Sequence, residues 1–173
     1  PVTALAEEAK DTDEAAAAEE GTTLRILRQK QFLDFAENCR LDSYSRNLSV
    51  VLLTDIDLTG VDFAGIPIFC GNFDGNGHTV SGLSITQDGS NMGLFRYVDA
   101  SALIQNLTVS GEIIPDGSRS AVGGIAGHNA GKIQNCFFDG TVSGSDDVGG
   151  IAGICRATIR DCYIKCFLSG GDY

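Results

Sequence analysis

The chain has no tryptophan, two histidines and three prolines among its 173 residues. With histidine so scarce, a zinc centre would have to rest on cysteine. The six cysteines, at 39, 70, 136, 155, 162 and 166, are too loosely spaced to supply four clustered ligands. No metal centre and no cofactor is expected from them. No Lys/Arg cluster exists that could neutralise a run of phosphates, which argues against nucleic-acid binding. No apolar run approaches the roughly 20 residues of a membrane-spanning helix, so no transmembrane segment is expected. A helical period is also missing after residue 40. A βαβ fold needs helical stretches of about 10–15 residues between its strands, so that class is excluded.

Glycine, at 22 residues, is abundant. The net charge is −11, and residues 1–21 carry seven of the acids against one base. That stretch contains Ala4-Leu5-Ala6, a small-x-small pattern of the kind that closes a secretory signal peptide, without its charged and apolar regions. It is expected to be an acidic linker or a signal-peptide remnant. Residues 22–173 form the folded part, with a strand and helix over 22–43 and the remainder over 44–173. In "QKQFLDFAENCR" (29–40), Phe32, Phe35, Ala36 and Cys39 fall on one helical face. In "TDIDL" (54–58), Ile56 and Leu58 alternate with Asp55 and Asp57, so the carboxylates face away from the buried side.

The rest of the chain repeats. "SALIQNLTVSG" (101–111) is followed by "GKIQNCFFDGTV" (131–142) and "ATIRDCYIKC" (157–166). Ahead of these stand "NMGLFRYV" (91–98), "VGGIAGHNAG" (122–131) and "VGGIAGICRA" (148–157). Leu94 to Ile125 spans 31 positions and Ile125 to Ile151 spans 26, a period of short β segments with glycine corners. Such a period means stacked units sharing one core. The leucine ladder of a leucine-rich repeat is absent, and the unit is too short for a propeller blade of about 40 residues. Coiling into a parallel β-helix remains, with successive coils about 4.8 Å apart.

Stacking gives the repeated residues physical roles. Gly123, Gly124, Gly127 and their equivalents Gly149, Gly150, Gly153 would take positive φ or allow close approach at corners. Asn106 and Asn135 could form a side-chain ladder, with Asp161 ending it because a carboxylate accepts but cannot donate. Cys136 and Cys162 should share a core column, either bonded or as two thiols. Phe32 and Phe35 should pack the helix over the open N-terminal end of the stack. The segment closing the last unit, "DCYIKCFLSGGDY", carries no cover for its own edge. Further coils, another domain or a partner are expected there.

"DIDLTG" (55–60), "FDGNGHTVSGLSI" (73–85), "MGLFRYV", "GGIAG", "IQNC" and "GTV", in that order, resemble bacterial surface proteins with GLUG-type repeats. The resemblance covers about residues 22–170. It implies a right-handed parallel β-helix on a secreted or surface-anchored, adhesin-like protein. It carries no catalytic set. The chain departs from the pattern at Arg96 and at Cys155-Arg156.

Asp74-Gly75-Asn76-Gly77 is a strong turn sequence, two Asx side chains beside two permissive glycines. A corner between short strands is the expected structure, with His78 bonding backbone. A calcium site on Asp74 and Asn76 is the alternative, although the loop lacks the oxygens of an EF-hand. Two functions compete. One is a non-catalytic extracellular module, a spacer or a face binding a glycan or protein, with Tyr97, Phe138 and Tyr163 as candidate contacts. The other is a polysaccharide-cleaving enzyme. That would need two carboxylates about 5–9 Å apart, from Asp55/Asp57 with Asp74 or from Asp139 with Asp146 and Asp147.

Overall fold

The structure, a computed structural model, describes residues 22–117 and 120–171. The linker expected over 1–21 lies outside the described residues. The chain starts with strand β1 (Thr23–Ile26) and helix α1 (Gln29–Asn38). It then winds through β2 (Ser49–Leu52), β3 (Ile56–Asp57) and β4 (Ile66–Phe69). The next turn is β5 (Asn72–Asp74), β6 (Thr79–Ile85) and β7 (Phe95–Val98). Two four-stranded turns follow. The first is β8 (Leu103–Gln105), β9 (Thr108–Ile113), β10 (Ser120–Gly123) and β11 (Ala126–Asn129). The second is β12 (Lys132–Gln134), β13 (Phe137–Ser143), β14 (Asp146–Gly149) and β15 (Ala152–Cys155). β16 (Thr158–Arg160) and β17 (Tyr163–Ser169) begin another.

Every strand pairing is parallel and joins equivalent strands of successive turns. One face runs β1-β2-β5-β8-β12-β16, a second β3-β6-β9-β13-β17, a third β4-β7-β11-β15, and β10-β14 closes a short fourth. The fold is therefore an all-β parallel solenoid with one N-terminal helix. The register stacks like on like. Leu24, Val50, Phe73, Ile104, Ile133 and Ile159 form one column. Ile56, Val80, Val109, Phe138 and Ile164 form another. Alternation along each short strand sends these side chains inward, and those with a column neighbour on both sides, from Val50 to Ile133 and from Val80 to Phe138, are fully buried.

The glycines of the two Gly-Gly-Ile-Ala-Gly runs serve close approach. None of Gly123, Gly124, Gly127, Gly149, Gly150 and Gly153 has positive φ. A Cβ on Gly124 would lie 2.4 Å from a Phe138 ring carbon, so the glycine makes room for that ring. A Cβ on Gly127 would lie 2.2 Å from the Asn91 carbonyl carbon of the preceding turn.

Helix α1 buries Phe32, Phe35 and Ala36. It ends slightly sooner than its apolar spacing suggests, with Cys39 as C-cap donating its N–H to Phe35 O. Phe35 meets Phe69 and Phe73 at ring distances of 6.0 and 5.9 Å, and Phe32 meets Phe63 at 5.8 Å. Phe69 and Phe73 in turn pack on Phe95 at 5.5 and 5.2 Å. A chain of rings thus ties the helix to the coils beneath it. Each fully buried Phe contributes about 1.5–3 kcal/mol relative to an exposed one. At the other end, among the described residues, β17 pairs on one side only, and Phe167 is 80% and Tyr163 70% exposed.

Candidate functional site

The most ordered polar feature lies at the corner that follows β5, β8, β12 and β16. Asn76, Asn106, Asn135 and Asp161 hold φ of 52, 54, 51 and 52° there. This left-handed conformation costs most side chains about 1–2 kcal/mol, and Asn and Asp tolerate it best. The backbone thus selects the residue type, and the side chain is then free to bond along the stack. Asn135 Nδ2 donates to Asn106 Oδ1 at 2.6 Å, and Asn106 Nδ2 donates to Asp74 Oδ1 at 3.0 Å. Donation runs toward the N-terminal turns, so the carboxylate that ends the ladder is Asp74 rather than Asp161.

A second ladder runs one position earlier. Arg160 Nε donates to Gln134 Oε1 at 3.0 Å, Gln134 Nε2 to Gln105 Oε1 at 3.0 Å, and Gln105 Nε2 reaches Asp74 Oδ2 at 3.5 Å. Sequence reasoning missed it. The signal was the recurring Ile-Gln-Asn, whose middle residue points away from the core. Asp74 receives both ladders and also the Asn76 N–H at 2.8 Å, while Asn76 Nδ2 donates to Leu52 O at 3.2 Å. The two side chains proposed as calcium ligands are thus engaged in the corner itself. Among the described residues no group of three or more His, Cys, Asp or Glu is gathered that could hold a metal ion.

His78 takes a different partner from the expected backbone. Its Nδ1 lies 3.0 Å from Asp55 Oδ1, which also accepts the Thr79 N–H at 2.9 Å. The Thr79 N–H, with His78 next, holds the Asp55 carboxyl below its ordinary value. Thr59 does the same for Asp57 through its hydroxyl and N–H. Asp139 pairs with Lys165 at 3.3 Å, and Asp147 holds a left-handed corner at φ 51°. A glycosidase acid needs a raised pKa, whereas Asp55 and Asp57 are both shifted downward by donors.

The three aromatic candidates separate. Phe138 is fully buried in the core column opposite Gly124, so it is not a surface contact. Tyr97 is half-buried and stacks on His128 at 5.0 Å, edge to face. Tyr163 is exposed. It borders a shallow depression of about 230 Å³ with Asn106, Asn135 and Phe137. The depression sits beside the amide ladders and offers polar edges with one free ring. Cys136 and Cys162 fall in register on neighbouring turns, and both are thiols, as are the other four cysteines.

Residues 118–143 match the family model described as the GLUG motif. The chain carries a GLUG motif. In the described residues the motif covers β10 through β13, which includes the Gly-Gly-Ile-Ala-Gly corner, Gln134 and Asn135. Two curated relatives are similar. One is halomucin of Haloquadratum walsbyi, 32% identical over 133 residues, which is 70% of this chain and 1% of that protein. The other is described as a Gly-rich membrane protein, from Evansella cellulosilytica, 34% identical over 96 residues, 49% of this chain and 11% of that protein. The chain thus spans a small fraction of the length of both. No solved structure matches. Among the described residues no helix is long and apolar enough to cross a membrane.

Proposed function

We propose that the chain is a non-catalytic module of a secreted or cell-surface protein, serving as an adhesin-like spacer or as a face that binds a cell-surface glycan or protein. The observation that carries this reading is the use made of the polar side chains. Asp74, Gln105, Asn106, Gln134, Asn135 and Arg160 bond to one another along the stack. They stiffen the solenoid and do not converge on a reacting atom. The relatives are consistent with this: both are far longer than the chain, and one is described as a membrane protein. Further repeats or domains of a parent chain fit the same reading. The depression beside Tyr163, with amide edges around an exposed ring, suits a sugar better than a charged ligand.

The test is to incubate the purified chain with an immobilised array of glycans and matrix proteins, and to assay both retention and product release. Saturable retention without new reducing ends is the expected result. Release of reducing ends or unsaturated sugars from any polysaccharide would replace the module with the enzyme reading.

A further inference from the structure

We propose that Cys136 and Cys162 form an oxidation site, a dithiol pair that closes to a disulfide between neighbouring turns of the solenoid. The register carries it. Ile133 pairs with Ile159 and Phe137 with Tyr163, so Cys136 stands opposite Cys162. Stacked strands lie about 4.8 Å apart, inside the Cα range of about 4.4–6.8 Å that a disulfide spans. The backbone is pinned at this point, because the Tyr163 N–H donates to Cys136 O at 2.9 Å. The thiols point the same way. Cys136 Sγ lies 3.2 Å from Gln134 O and Cys162 Sγ lies 3.2 Å from Arg160 O, in each case the carbonyl two residues earlier, and Cys162 Sγ also lies 3.9 Å from Ile133 O of the turn that holds Cys136.

The two differ in access. Cys136 is buried, while Cys162 is half-buried and borders solvent. Burial pushes the Cys136 thiol up to about 12 and also raises Cys162. The accessible Cys162 therefore reacts first. Its thiolate attacks an external disulfide such as oxidised glutathione, breaking that S–S bond, forming a mixed disulfide and releasing one glutathione thiol. Cys136 Sγ then displaces the second glutathione, and the Cys136–Cys162 bond forms. The two protons of the pair end on the two released thiols. The chain is oxidised by two electrons and glutathione disulfide is reduced. Raised thiol pKa values make the exchange slow at neutral pH and faster in mild alkali. The effect would be to staple the edge turn, whose strands β16 and β17 pair on one side among the described residues, to the turn beneath it. This inference stands independently of where the protein resides.

The experiment uses the purified, reduced chain, equilibrated in a glutathione redox buffer at pH 8 and then alkylated. Trypsin releases Cys162 in peptide 161–165 and Cys136 in 133–156, which also holds Cys155. The expected product is 161–165 linked to 133–156, retained in Cys155→Ser and absent in Cys136→Ser. Thermal unfolding of the oxidised wild type should shift upward relative to the reduced protein, with no shift in Cys162→Ser. Alkylated, unlinked 161–165 after equilibration would overturn the proposal. So would a link that persists in Cys136→Ser, because the partner would then be another cysteine.

Discussion

Asn135 donates its side-chain amide to Asn106 across 2.6 Å while both residues hold left-handed backbone near φ 50°. One residue type meets two demands, a corner that disfavours most side chains and a bond to the next turn. Replacing it separates the two. Asn135→Ala keeps neither advantage and should cost about 2 kcal/mol, the sum of about 1 for left-handed strain and about 1 for the hydrogen bond. Asn135→Gly relieves the strain and should cost roughly half as much. Urea unfolding of both variants checks the order. An alanine variant more stable than the glycine variant would mean that the corner does not impose left-handed backbone.

A second corner repeats the pattern with a misfit. Asn91, Ala121 and Asp147 hold φ of 55, 59 and 51°, and the pairing of Met92 with Val122 and of Ser120 with Asp146 places them in one column. Alanine is the odd residue. Ala121→Gly should be neutral or slightly stabilising, because relief of strain offsets the lost methyl and the added unfolded-state freedom. Ala126→Gly, in ordinary strand backbone, should cost about 0.5–1 kcal/mol. Equal losses at both positions would count against the corner.

The repeat was legible because side-chain periodicity reports direction. Leu94, Ile125 and Ile151 recur in the sequence, and they stand beside the paired Phe95, Ala126 and Ala152 in the structure. Backbone sign is not periodic in that sense. The left-handed column at 91, 121 and 147 was invisible because its residues are chemically unlike. Parity hid Phe138. Adjacent Phe137 and Phe138 must point to opposite faces, and nothing local says which points inward. The His78–Asp55 pair escaped because its partners come from different turns, 23 residues apart. The glutamine ladder was hidden by the asparagines beside it, which offered the more familiar explanation.

The cap carries a direct test. Phe35 is 1% exposed and touches Phe32, Phe69 and Phe73. Phe35→Ala should destabilise the chain by about 3–5 kcal/mol. Lys30→Ala removes an exposed pair with Asp34 and should change stability by less than about 0.5 kcal/mol. Chemical denaturation of the two variants distinguishes a packed cap from a loosely attached helix. A loss below about 1 kcal/mol for Phe35→Ala would remove the capping role.

Acid should weaken the fold through His128. Its Nε2 is buried without a hydrogen-bond partner, and its ring packs on Tyr97. Desolvation, with the Arg156 charge second, holds its pKa below the ordinary 6.5. The unfolded chain therefore takes up the proton at higher pH than the folded chain does. Above about pH 6.5 neither state binds it and the residue adds no pH dependence. As pH falls from there toward the folded pKa, protonation favours the unfolded state and stability drops. His128→Gln should remove that part of the slope, which melting curves between pH 7 and 5 will show. Parallel slopes for wild type and variant would assign the acid sensitivity elsewhere.

The edge turn should be the least protected part of the solenoid. β13 bonds to β9 on one side and β17 on the other, whereas among the described residues β17 pairs only with β13. Along a parallel strand alternate N–H groups point to opposite neighbours, so only about half of the β17 amides have a strand to donate to. The side chains follow the backbone. Ile164 and Leu168 are each 50% exposed, while Phe138 and Val142, their register partners one turn earlier, are fully buried. Opening this turn exposes little additional apolar surface, so its local free energy of opening should be small. Hydrogen exchange on a monomer verified by light scattering should show the amides of 158–169 exchanging much faster than those of 103–113 and 132–143. Oxidation of Cys136 and Cys162 should narrow that difference around residue 162, because the bond fixes the edge turn at one point. Equal protection of all three segments in the reduced monomer would mean that the outer side of β17 is covered, and that the exposed Tyr163 and Phe167 are not free.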